Sequence, residues 1–143
     1  MNDEIQAEAL NDITQAVMGL VDSWQLDTQE IQGVLSLPAS VRARALNKFR
    51  EGTDVLPDDP VVLRRARYLL RISDALRTTY PLNPRMAGRW VRQGHRRFGR
   101  RSPLSIILRD GESGLIAVLS ELDCTFSWDL TGSQTMGYRP TQS

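Results

Sequence analysis

Cysteine and histidine are almost missing from this sequence of 143 residues, with Cys124 and His95 the single examples of each. One cysteine excludes an intrachain disulfide, and a lone Cys and a lone His leave no cluster with zinc-ligand spacing. No structural metal and no cofactor is expected. Long apolar runs are missing too. Each is broken by Arg or Asp well short of the ~20 residues that span a bilayer. The amino terminus, Met1-Asn2-Asp3-Glu4, carries acids where a secretory signal carries bases, and no apolar h-region follows. The expectation is a cytoplasmic protein with no membrane partner.

Signatures of catalysis are equally scarce. The chain holds no G-x-x-x-x-G-K-[ST], no G-x-G-x-x-G and no H-E-x-x-H. A Cys/His nucleophile pair requires Cys124 to meet His95. Cys124, between Leu122 and Phe126 near a helix end, instead reads as a buried structural thiol. The adjacent acids Asp58 and Asp59, and Glu121 with Asp123, read as solvated loop and helix-surface groups. No enzyme is expected.

What the sequence does have is segregated charge. Before Arg42 it carries seven acids (Asp3, Glu4, Glu8, Asp12, Asp22, Asp27, Glu30) and no Lys or Arg. From Arg64 to Arg109 it carries thirteen arginines against the single acid Asp74, and it then turns acidic again. Such asymmetry marks a surface for nucleic acid or for an acidic partner, although solvated helix faces account for individual arginines equally well.

Apolar periodicity predicts helices throughout. Leu10, Ile13, Val17, Leu20, Val21 and Trp24 recur at three- and four-residue intervals and predict a helix over 6–24. Asp27 or Thr28 is a candidate N-cap for a second helix ending near Ser36 before Pro38. Ser40 is the candidate cap of a third, which Gly52 ends. Gly52 to Pro60, with its glycine, prolines and aspartates, reads as a linker. Further helices are predicted over 60–79, 84–93, from Pro103 to Asp110-Gly111, and 112–124. A Gly/Arg loop spans 94–102. A core of Trp90, Phe98, Leu104, Ile107, Leu108, Leu115, Leu119 and Leu122 is expected in the second half. The fold class is all-α, with residues 1–52 a helix-turn-helix-like half for DNA binding or dimerisation, 53–60 a linker, 61–126 a small helical domain and 127–143 a flexible tail.

In the first half, the short turns between Ile13 and Glu51 fit a helix-turn-helix whose last helix enters the major groove. Ser40, Arg42, Arg44, Asn47 and Lys48 are then the candidate DNA-binding residues, with Arg50 beside them, since Arg suits guanine and phosphate and Asn suits adenine. The segment Glu30-Ile31-Gln32-Gly33-Val34-Leu35-Ser36-Leu37 departs from the common E-[IL]-A-x-L-L-G-[VIL] pattern at Gln32 and Ser36. A unit used only for helix packing or dimerisation is the other reading.

In the second half, Trp90-Val91 is followed by Phe98-Gly99-Arg100-Arg101-Ser102-Pro103-Leu104 and by Asp110-Gly111. This resembles the C-terminal toxin-binding domain of the Xre/MbcA/ParS-type antitoxins, in which a W-L helix end precedes L-G-G-R-[ST]-P-L, a short helix, a D-G-like turn and a last amphipathic helix. Counting from Trp90, the apolar residue stands eight positions on, the first Gly nine and the Pro thirteen, as in that pattern. The resemblance covers about residues 60 to 125. Gly94-His95 stand where the family usually has Pro-Asn, and Arg100 stands where it has a second Gly.

The resemblance implies an antitoxin of a type II toxin–antitoxin system. Its second half masks a protein toxin, typically a RES-domain enzyme that degrades NAD, and its Xre-like first half binds operator DNA and autoregulates the operon. A homodimer or a larger toxin–antitoxin assembly is expected, because operators are usually palindromic. Exposed arginines are the candidate toxin contacts, namely Arg89, Arg92, Arg96, Arg97, Arg100 and Arg101, since Arg is enriched at interface hot spots. Trp128 in the tail joins them. The alternative is a stand-alone helix-turn-helix transcriptional regulator without a toxin partner, in which the arginine-rich half also serves DNA.

Overall fold

The computed structural model describes residues 2–81 and 83–131. Among the described residues there are seven α-helices and no strand: α1 (Asn2–Ser23), α2 (Thr28–Leu35), α3 (Ala43–Glu51), α4 (Pro60–Thr79), α5 (Pro84–Arg92), α6 (Pro103–Asp110) and α7 (Glu112–Thr131). The all-α expectation holds. None of the described helices is long and apolar enough to cross a membrane. By compactness the chain divides into Met1–Leu70 and Arg71–Ser143, at a point inside α4.

In the first unit α1 packs on α3. The buried face of α1 carries Val17, Met18, Leu20 and Val21, continued by Trp24 and Leu26, while α3 contributes Leu46 and Phe49. Two polar contacts hold this packing in register. The Gln15 side chain donates to the Phe49 carbonyl at 2.6 Å. The buried Thr14 hydroxyl donates to the Leu10 carbonyl at 2.7 Å and accepts from the Leu56 amide at 3.0 Å. A hydroxyl in an apolar interior is tolerated because it is bonded on both sides.

Local chemistry sets the helix ends. Asp27 caps α2 in a full capping box, its carboxylate accepting from the Glu30 amide at 2.8 Å while Glu30 accepts from the Asp27 amide at 2.9 Å. The turn to α3 corrects one expectation. Ser36 closes α2 in the left-handed conformation, and α3 begins only at Ala43 with Arg42 at the N-cap and no side-chain cap bond. Ser40 therefore lies in the turn and caps nothing. Gly52, at φ +79°, ends α3 where a side chain would be strained.

In the second unit α6 packs on both α5 and α7. The Ser102 side chain caps α6 with Pro103 at its first position, and Gly111 stops it. Gly114 lets α7 approach closely: a Cβ there would stand 2.5 Å from the Ile106 carbonyl oxygen. The expected core needs two exchanges, for Leu108 is 41% exposed and Trp90 only half-buried, whereas Ile106 and Val91 are fully buried. The buried face of α6 runs through Pro103, Leu104, Ile106 and Ile107, and Leu108 lies roughly 100° further round than Ile107. Helix α7 runs to Thr131, seven residues past the expected end at Cys124. The rest of the expected tail lies outside the described residues.

Candidate functional site

The arginine-rich segment between α5 and α6 is not an open loop but a closed knot. After Arg92 the chain makes a single 3₁₀ turn at Arg96–Phe98 and returns through an isolated antiparallel bridge between His95 and Arg101. Three backbone bonds close it: His95 N–H to the Arg101 carbonyl at 3.1 Å, Arg100 N–H to the His95 carbonyl at 2.9 Å, and Arg101 N–H to the Phe98 carbonyl at 3.1 Å. Reversal in so few residues demands unusual backbone. Gly99 and Arg100 both sit in the left-handed region, at φ +63° and +68°. Gly94 is needed for a different reason, because a Cβ on it would stand 2.4 Å from the Arg100 carbonyl oxygen.

Aromatic rings anchor this knot to the body of the unit. His95 lies against Trp90 with ring centroids 4.9 Å apart, and its Nε2 donates to the Trp90 carbonyl at 2.8 Å. Phe98 is buried and meets Trp90 edge-on at 6.2 Å. Phe98 is inside and Trp90 and His95 are half-buried, whereas Arg96, Arg97 and Arg100 are exposed, as are Arg89 and Arg92 on α5, and Arg101 is half-buried. Arg85, Arg89 and Arg92 fall four and three residues apart and so share one face of α5. Trp128 falls on the last turns of α7, and its side chain lies outside those described, as does that of Cys124.

Beneath the knot lies a cavity of about 280 Å³, with Tyr80, Trp90, His95 and Phe98 among its walls and Glu121 and Leu122 contributed by α7. Glu121 corrects the sequence expectation. It is not a solvated surface acid but 5% exposed, and Arg97 Nη1 donates to its Oε1 at 2.9 Å. The signal was present: Glu121 falls three residues after buried Val118 and one before buried Leu122, inside the apolar arc of α7.

On the first unit, the residues expected to touch DNA are displayed in two settings. Ser40 and Arg42 are exposed on the α2–α3 turn, and Arg44, Asn47 and Lys48 are exposed on α3. Arg50 is held instead by Asp22, its Nε and Nη2 donating to the two carboxylate oxygens at 2.8 and 2.9 Å. The hydrogen bond to Asp22 raises the Arg50 pKa above its ordinary value. Arg50 Nη1 also donates to Asn47 Oδ1 at 2.7 Å, so the Asn47 carbonyl is engaged in the free protein. The turn from Ser36 to Arg42 is seven residues long, longer than the three or four of a compact helix-turn-helix.

Comparison with models of known protein families gives no match, and comparison with curated proteins gives none either.

Proposed function

We propose that the chain is an antitoxin whose second unit binds a protein toxin through the arginine-bearing knot between α5 and α6, and whose first unit binds operator DNA. The toxin expected from the resemblance is a RES-domain, NAD-degrading enzyme. One observation carries the reading. The resembling motif has two successive glycines where this chain has Gly99-Arg100, and both positions adopt the left-handed backbone that favours glycine. The loop geometry thus accounts for the glycine pair of the motif at Arg100, one of the two places where the sequence departs from it. The chain's role is that of a binder: the knot displays Arg96, Arg97 and Arg100 on a rigid aromatic base, which suits a carboxylate-rich protein surface.

The DNA-binding part of the proposal rests on the exposed cationic face of α3, where Arg44 and Lys48 stand beside Asn47. That face alone also supports the second reading, a regulator without a toxin. Co-expression with the protein encoded beside this gene separates the two. Under the antitoxin reading the pair purifies together at fixed stoichiometry, and Arg96→Glu with Arg100→Glu abolishes the complex while leaving the fold intact. Absence of any complex with the unaltered chain defeats the toxin reading and leaves the regulator.

A further inference from the structure

The cavity beneath the knot has walls that its arginine pair does not explain. They belong entirely to the second unit: the end of α4, the end of α5, the knot and α7. Trp90 and His95 lie with their rings 34° from parallel, and Phe98 meets the two nearly at right angles, at 79° and 74°. Two near-parallel rings and one perpendicular ring make an aromatic corner, in which a planar ring packs flat on one wall and edge-on to the other. Trp90 and His95 are only half-buried, as is Tyr80 on the same cavity, so ring surface is left uncovered. A concave aromatic surface with a few polar groups is the common make-up of a small-molecule site. The volume of about 280 Å³ falls just under the roughly 300–1,000 Å³ of drug-sized pockets and suits one or two fused rings.

The charges on the walls decide what such a ring carries. Among the described residues they are Arg96, Arg97 and Glu121, a surplus of one positive charge. Arg97 donates to Glu121, so that buried carboxylate is already neutralised, and a cationic ligand would have to displace its partner. The Arg96 guanidinium is exposed and makes no hydrogen bond or ion pair among the described residues. The Tyr80 hydroxyl and the Trp90 Nε1 make none there either. Neighbouring acids do not reverse this balance. Asp123 is exposed, two residues on from Glu121 and so about 200° round α7. Asp74, on the same helix as Tyr80, is paired with Arg77. We propose that this cavity binds a small aromatic carboxylate of one or two fused rings. Its ring occupies the corner made by Trp90, His95 and Phe98, and its carboxylate takes the two-point geometry that the Arg96 guanidinium offers. The site lies within this chain alone, and the proposal does not depend on the chain being an antitoxin.

Isothermal titration of the full-length chain, with no other protein present, tests the site with indole-3-carboxylate and its uncharged analogue indole-3-carboxamide. The carboxylate is expected to bind one-to-one with a dissociation constant on the order of 0.1–1 mM, as about a dozen non-hydrogen atoms allow, and the carboxamide roughly tenfold more weakly. Arg96→Gln is expected to bring the carboxylate down to the level of the carboxamide while leaving the carboxamide unchanged. Thr79→Trp places a bulky ring at an exposed position on the cavity wall and is expected to abolish binding of both. Because both positions are exposed, circular dichroism is expected to stay unchanged in each variant. Failure of the carboxylate to bind, an equal affinity for the carboxamide, or undiminished binding by either variant overturns the proposal. Tighter binding of phenyltrimethylammonium, which would mark a cation site, or of adenosine monophosphate, which would mark a nucleotide site, overturns it as well.

Discussion

Arg97, on the 3₁₀ turn of the knot, donates from Nη1 to Oε1 of Glu121 on α7 at 2.9 Å, joining a half-exposed cation to a buried carboxylate. The asymmetry of burial decides what each partner contributes. Removing Arg97 leaves the carboxylate without this partner inside the protein. Removing the Glu121 charge leaves a guanidinium that water can solvate. The discount for Arg97's exposure puts Arg97→Ala at roughly 1–2 kcal/mol of lost stability in urea unfolding, with Glu121→Gln costing less. Equal costs would mean that the pair acts as an ordinary surface ion pair.

The two special positions of the knot predict changes of opposite sign. Arg100→Gly removes a left-handed side-chain strain of about 1–2 kcal/mol and adds about 0.5–1 kcal/mol of glycine entropy, a net stabilisation on the order of 0.5 kcal/mol. Gly94→Ala places a Cβ 2.4 Å from the Arg100 carbonyl. Since the obstacle is backbone, the knot has to open, at a cost on the order of 2 kcal/mol or more. Paired denaturation curves check both, and a neutral Gly94→Ala would contradict the close approach.

The all-α architecture was legible because apolar residues recur at helical spacing and because Gly52, Pro103 and Gly111 punctuate it. What could not be read was set by contacts distant in sequence or by geometry no period encodes. Ser40 is a good capping residue by type, yet the chain enters α3 two residues later, at Arg42. Leu108 is apolar but lies off the buried arc of a helix only eight residues long. The Thr14–Leu56 and Arg97–Glu121 contacts join residues far apart in the chain. They therefore leave no local pattern, although Glu121 was visible within the apolar arc of α7. From sequence the knot reads only as a loop, since a 3₁₀ turn with one bridge has too few residues to show a period.

The exposed face of α3 yields a prediction about separable functions. Arg44→Ala with Asn47→Ala is expected to abolish operator binding in an electrophoretic assay while leaving toxin neutralisation intact, because these side chains lie on the first unit. Unchanged DNA affinity would show that α3 is not the reader. Arg50 is already tied to Asp22, so Arg50→Ala is expected to lower stability, by roughly 0–1 kcal/mol for a partly exposed pair.

The central claim is that this chain neutralises a toxin, and the most direct test is growth and cellular NAD after inducing the protein encoded beside its gene. With the full chain co-expressed, growth and NAD are predicted to recover, and with a chain carrying Arg96→Glu and Arg100→Glu they are predicted to collapse. A truncation after Cys124, run in parallel, reports whether the residues beyond it take part in inhibition. A neighbour that is harmless alone, or one whose toxicity persists undiminished with the full chain present, would contradict the account.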